Sequence, residues 1–213
     1  NDENLLKQLK NVKTESELKA EYDLNESDKC SNTASGSFNQ VCFYVIPTPT
    51  GVKEITYRRS IDPFFDINKD EIKIDYEVYS QWNNLSKDRT KFFNNITQTE
   101  KNMTYANKTE ITPHTYFHGF VKGDPNTTDE NKIYQVLVQE SYDTSIHRYY
   151  LTEYTKLSGR KQRQIDKSVV EQFVHLYRKL QNPGIICFDI KPANTVIKTN
   201  SDDSVTVKLI DLD

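Results

Sequence analysis

Ile186-Cys187-Phe188-Asp189-Ile190-Lys191-Pro192-Ala193-Asn194-Thr195-Val196-Ile197-Lys198, followed after a polar stretch by Val207-Lys208-Leu209-Ile210-Asp211-Leu212-Asp213, decides how this chain is read. The runs around Thr195–Lys198 and Val205–Ile210 are β-branched, and the turn-rich residues 199–204 between them predict a hairpin. Ahead of the loop, residues 168–180 put Val169, Phe173, Leu176 and Leu180 on one helical stripe, widened by Val170 and Tyr177. Ser168 and Glu171 have capping-box spacing, and Pro183 with Gly184 marks the helix end. The predicted order is helix, polar loop, hairpin, acidic exit. A polar loop of this kind also serves plain turn chemistry. Here it carries Asp189, Lys191, Asn194 and Asp211 in the order and spacing that phosphoryl transfer requires. That reaction needs a carboxylate to orient the attacking hydroxyl, a cation on the phosphate, and oxygen ligands for Mg²⁺.

Cys187 to Asn194 resembles the protein-kinase catalytic loop HRDxKxxN, and Asp211 with Leu212 resembles the first two residues of DFG. On these residues the chain is similar to eukaryotic-like serine/threonine protein kinases, Lys191 two places after Asp189 being the serine/threonine pattern. The resemblance implies ATP and Mg²⁺ as cofactors and a protein hydroxyl as acceptor. It makes Asp189 the catalytic carboxylate, Lys191 the γ-phosphate cation, and Asn194 and Asp211 the Mg²⁺ ligands. Cys187 and Phe188 stand where the family has His and Arg, so the brace on the DFG backbone and the partner of a phosphorylated activation loop are both gone.

The same resemblance extends towards the N-terminus. Residues 34–41 are similar to the glycine-rich loop GxGxFGxV, with Gly36, Phe38 and Val41 matching and Ala34 and Asn39 in glycine positions. Gly36, Ser37, Phe38 and Val41 are thereby assigned to the nucleotide. In the predicted strand 53–61, Arg58 overlays the α/β-phosphate lysine, with Arg59 as the fallback, because strand alternation lets only one of the pair face the nucleotide. Glu77 is the expected carboxylate partner of that cation. It lies on a predicted helix over 71–85 with Ile74, Val78, Trp82 and Leu85 on one face. Residues 112–122 and 132–141 read as two more strands, the second running into a hinge at Gln139, Glu140 and Ser141 where adenine would meet backbone groups.

The fold class expected is α+β: a two-lobe kinase-like fold with a five-stranded antiparallel sheet and a helix in the small lobe, then the first part of a mainly helical large lobe. In residue terms this is a helical extension at 1–28, a small lobe at 29–140 with a polar insertion at about 88–110, and the start of the large lobe at 141–213. Leu5, Leu9 and Val12 mark an amphipathic helix in the extension. Because the sequence opens on Asn1 and stops at the DFG position, it is expected to be part of a longer protein whose remainder selects the substrate.

At 35% hydrophobic and 28% charged residues, the composition is that of a soluble folded protein, and no apolar run is long enough to span a bilayer. A net charge of -3 argues against nucleic acid as partner. Oligomeric state is not readable. The bias to Asn, Lys, Ile and Tyr is similar in style to divergent kinases of large DNA viruses and AT-rich protists. Three cysteines, Cys30, Cys42 and Cys187, read as reduced thiols in a cytoplasmic protein. Against this stand the sequons at Asn25, Asn84, Asn95, Asn102, Asn107 and Asn126. Two alternatives to the protein kinase remain. A pseudokinase would keep the fold as a binding module. A small-molecule phosphotransferase of the aminoglycoside or choline kinase type would explain why Asp213 makes IDLD resemble an IDxE ending, although such enzymes carry His where Lys191 stands.

Overall fold

Gly51 sets the first hairpin. Its φ of +144° is one that side-chain-bearing residues rarely adopt. It closes the turn between β2 (Asn39–Thr48) and β3 (Gly51–Ser60), with Thr48 opposite Gly51. The computed structural model describes residues 2–25, 29–32, 39–83, 87–181 and 190–212. Its architecture is α+β, with antiparallel sheets and six α-helices among those residues. The chain divides into two compact units, Asn1–Ile96 with Thr115–Glu140, and Thr97–His114 with Ser141–Asp213.

The first unit begins with α1 (Asp2–Lys10) and α2 (Glu15–Glu21), and β1 (Lys29–Asn32) pairs with β2. β4 (Phe65–Ile67) and β5 (Ile72–Ile74) form a short hairpin before α3 (Tyr76–Asn83) and the first turns of α4 (Arg89–Lys108). β6 (Thr115–Lys122) and β7 (Lys132–Glu140) complete the sheet. Its order is β1-β2-β3-β7-β4-β5, with β6 also on β7. β6 occupies one edge of β7, while β3 and β4 share the other, at Val136–Glu140 and at Lys132–Ile133.

This sheet has seven strands where five were expected, and the second strand of the extra β4–β5 hairpin replaces the front of a predicted helix. Ile72, Lys73 and Ile74 alternate as a strand does, and the Asp75 carboxylate accepts from the N–H groups of Glu77 and Val78. An aspartate in that position starts a helix, so α3 begins at Tyr76 and not at Glu71. The segment expected as an extended insertion at 88–110 is mostly helix. Asp88 caps it by accepting from Thr90 and Lys91, and Phe92, Phe93, Met103 and Ala106 form a buried stripe that its many polar residues obscure. Phe92 sits at the centre of an aromatic cluster, edge-on to Tyr79 at 4.5 Å and to Phe65 at 5.4 Å.

Alternation in β3 separates two surfaces. Ile55 and Tyr57 are buried with Cys42 and Tyr44 of β2, with Tyr134, Val136 and Val138 of β7, and under Leu18 and Leu24 from the N-terminal segment. Arg59 follows on that face, its guanidinium 4.4 Å from the centre of the Tyr134 ring and paired with Glu15 of α2. Tyr57 donates to the same carboxylate at 2.9 Å, and Lys19 pairs with it. A capping box joins Thr14 and Glu17 at the start of α2. The N-terminal helix is thus stapled to the sheet by a carboxylate only 13% exposed.

The cysteines depart from expectation. Cys42 is disulfide-bonded, so the reading of three reduced thiols does not hold. Directly across the ladder from it stands Cys30. Facing residues of an antiparallel pair have Cα atoms about 4.5–5.5 Å apart, within the range a disulfide requires. Only the register makes that visible.

The second unit is built on α6 (Gly159–Leu180). The Ser158 hydroxyl accepts from Lys161 and starts this helix well before the predicted Ser168. Ser168 is an interior residue whose hydroxyl accepts from Gln172, so no capping box forms there. Ile165, Val169 and Leu176 are buried, whereas Val170 and Tyr177, expected to widen the stripe, are exposed. β8 (Thr144–Ser145) leads into α5 (Ile146–Thr152), and β9 (Thr195–Thr199) and β10 (Val205–Leu209) make a three-stranded sheet in the order β10-β9-β8. The outer edge of β10 is satisfied by side chain and loop. Gln172 donates to the Val205 carbonyl and accepts from the Val207 N–H, each at 2.8 Å, and the Leu209 N–H donates to Ile111 at 2.9 Å. Asp166 of α6 accepts from Tyr150 and Tyr154, whose rings stack at 4.5 Å and fix α5 to α6.

Two outcomes test these anchors. Burial alone would raise the Glu15 carboxyl, but Arg59, Lys19 and the Tyr57 hydroxyl together hold it below the ordinary value of 4.5. A depressed folded pKa contributes stability that is complete above the unfolded value and lost as pH falls through the folded one. Glu15→Gln should therefore cost about 1–3 kcal/mol at pH 7, a gap that closes on acidification below 4.5. Urea midpoints of both proteins between pH 7 and 3 read this, and a pH-independent gap would refute the staple. Gln172→Leu, which strips partners from two buried main-chain groups, should lower the urea midpoint by about 2–3 kcal/mol. Gln172→Glu keeps the acceptor and should lose less; equality of Gln172→Leu with wild type would remove the anchor.

Candidate functional site

Pro192 makes the loop turn. Its ring presets φ at the first position of a 3₁₀ turn, Pro192–Asn194, and the Lys191 carbonyl accepts from the Asn194 N–H at 2.9 Å and the Thr195 hydroxyl at 3.1 Å. Lys191 itself is extended, at φ -139° and ψ 160°, and exposed. Three residues later Asn194 is buried, at 9% exposure. The chain then enters β9, whose Thr195 faces Leu209 in β10. One further bond follows the ladder: the Ile210 N–H donates to the Asn194 carbonyl at 2.9 Å.

That bond brings Asn194 and the exit of β10 together. Asp211 comes next with φ +57°, a left-handed conformation that Asp tolerates better than most residues. Asp211 is exposed, while Leu212 is buried at 6%. A non-glycine residue held left-handed at a strand exit is the sort of local cost that functional sites carry. The amide of Asn194 and the carboxylate of Asp211 are hard oxygen donors at one end of one hairpin. Among the described residues no group of three His, Cys, Asp or Glu could hold a metal alone. The donor set fits Mg²⁺, which keeps waters and substrate oxygens in its shell and needs only one or two protein ligands.

In the first unit, Val41 and Arg58 are directly opposed in the β2–β3 ladder, and Leu137 faces Arg58 from β7. These three lie on the face opposite Tyr57 and Arg59. Arg58 is half-buried there, and Arg59 is engaged with Glu15, so the two arginines lie on opposite faces of β3. Glu140 ends β7 opposite Ile55, half-buried, between the buried Gln139 and Ser141.

Glu77 is not brought to Arg58. It sits exposed in the first turn of α3, where it lines a hollow with Lys73, Lys87 and Lys132, and no ion pair joins it to Arg58. The reason is the late start of α3: with Ile72–Ile74 in a strand, Glu77 falls in the capped first turn. Asp189, Gly36, Ser37 and Phe38 lie outside the described residues, as do Ala34, Cys187, Phe188 and Asp213.

Sequence reasoning missed Gln172, which fixes the hairpin that carries the site. A glutamine on a polar helix face gives no signal of its own, and only the three-residue-plus-one spacing to Val169 and Leu176 places it beside the buried stripe. It also missed Ile111, whose carbonyl receives the Leu209 N–H. Compared with known proteins, the chain matches no family model and no curated protein.

Proposed function

We propose that this chain carries the nucleotide-binding and catalytic-loop residues of an ATP- and Mg²⁺-dependent serine/threonine protein kinase of two-lobe fold. The observation that carries this reading is the bond from the Ile210 N–H to the Asn194 carbonyl, which sets Asn194 across the hairpin exit from the residue before the left-handed Asp211. Two oxygen ligands, one at the entry and one at the exit of the same hairpin, end on neighbouring backbone. The order of elements supports it as well: hairpin β2–β3, helix α4, strands β6 and β7, helix α6, polar loop, hairpin β9–β10, acidic exit.

The residues divide by role. Asp189 orients the acceptor hydroxyl and takes its proton. Lys191, exposed on its extended backbone, neutralises charge on the transferring phosphoryl group. Asn194 and Asp211 hold Mg²⁺, which when bound shields the phosphate oxygens. Arg58, with Val41 beside it, meets the α/β-phosphates and the base, a planar fork in place of an ammonium. Gly36, Ser37 and Phe38 belong to the loop over the phosphates, and the main chain at Glu140 meets adenine. The absence of a Glu77–Arg58 pair favours a second reading, a nucleotide-binding pseudokinase without turnover.

Purified intact protein incubated with labelled ATP and Mg²⁺ should label itself or a generic basic protein, and Asp189→Asn should cut that rate by about a hundredfold or more. Labelling that survives the substitution undiscriminated from wild type would sink the catalytic assignment. Thermal stabilisation by nucleotide with no turnover would select the pseudokinase. Arg58→Ala should weaken nucleotide affinity about tenfold or more in a titration; an unchanged Kd would show the wrong strand residue was chosen.

A further inference from the structure

The connection between β6 and β7 carries a sequon. Asn126, followed by Thr127 and Thr128, has the acceptor pattern for N-linked glycosylation. It stands at φ +64° in an exposed turn. The Thr127 N–H and hydroxyl both donate to the Asp124 carbonyl, at 3.3 and 2.7 Å, and the Asn126 N–H donates to Glu130. Those bonds define the turn through the main chain and Thr127, and Asn126 and Thr128 both remain exposed. A bulky solvated sugar has room there. Three sequons of α4 differ. Asn102 is 5% exposed and its amide oxygen accepts from Gln98, so it has no room for a sugar. Asn95 and Asn107 are half-buried within α4.

A second observation is independent of the first. Cys42 is disulfide-bonded and 4% exposed, with Cys30 opposite in the ladder. Such structural bonds persist where the surroundings are oxidising, as in secretory compartments, and are rare where glutathione keeps thiols reduced. The same compartments supply glycosyl donors.

We propose that Asn126 carries an N-linked glycan, added in the oxidising secretory compartment in which Cys42 is bonded to Cys30. In the transfer, the Asn126 amide nitrogen forms a bond to the anomeric carbon of a lipid-pyrophosphate-linked oligosaccharide. The bond from that carbon to the pyrophosphate oxygen breaks, the amide gives up one proton, and the lipid pyrophosphate leaves. In the cross-link, two thiols give two electrons and two protons to a disulfide oxidoreductase. This reading runs against the cytoplasmic expectation and does not depend on the phosphoryl-transfer reading.

The test is peptide mapping by mass spectrometry of the full protein from the cells that make it, with thiols blocked at lysis. A Cys30–Cys42 linked peptide and a glycan on the Asn126 peptide that a peptide N-glycosidase releases are the results expected. Asn126→Gln and Thr128→Ala should each lose the mass of one oligosaccharide, while Thr128→Ser, which keeps the acceptor pattern, should retain it. Blocked free thiols at Cys30 and Cys42, or an unmodified Asn126, overturns the proposal.

Discussion

The second unit depends on the register of β9 against β10. With Thr195 set opposite Leu209, the next available donor beyond the ladder is the Ile210 N–H and the next acceptor is the Asn194 carbonyl, and they bond. A slip by one residue would exchange the faces of the hairpin and move Asn194 away from that exit. The slip is prevented at the outer edge of β10, where Gln172 grips alternate main-chain groups and Ile111 takes the Leu209 N–H. An edge strand with open N–H and C=O groups invites foreign pairing, so the same contacts that set the register also blunt the edge. α6 therefore does more than cover a core. It presents one amide that reads the position of β10 to a single residue.

A parallel constraint orders the first unit. Two adjacent arginines on one strand cannot share a face, and the N-terminal segment settles which goes where. Glu15 draws Arg59 onto the face shared with Tyr57 and Tyr134, and this leaves Arg58 beside Val41 and Leu137. A carboxylate so little exposed is costly without partners; with Arg59, Lys19 and Tyr57 around it the charge is held. Residues of α2 thus decide which arginine is drawn to the covered face of β3.

What could be read from sequence followed from how local each feature is. The β9–β10 hairpin and the polar loop at Lys191–Asn194 are short-range patterns, and their elements lie where propensity and turn chemistry put them. Failures arose where two periods fit the same residues or where the register was needed. Ile72-Lys73-Ile74 suits a strand or a helix face, and Asp75 decides between them by capping. In α4 the buried Phe92, Phe93, Met103 and Ala106 are diluted by asparagine, threonine and lysine, so composition spoke for a loop and spacing for a helix. Ser168 with Glu171 imitated a helix start inside a helix whose cap is Ser158. Cys30 and Cys42 face one another only once β1 and β2 are aligned, and no spacing rule announces that.

The cross-strand cysteines bear on the connection between β1 and β2. They stand on β1 and β2, on either side of the connection that carries Gly36, Ser37 and Phe38. A glycine-rich loop gains its freedom from residues without Cβ, and Ala34 and Asn39 surrender part of it. A covalent link at the base of such a connection restricts the unfolded chain, an effect of about 3 kcal/mol for a loop of this order. Neither Lys191 nor the Asn194–Asp211 pair involves a thiol, so the oxidised state of the sheet and the chemistry proposed for the hairpin rest on separate parts of the chain.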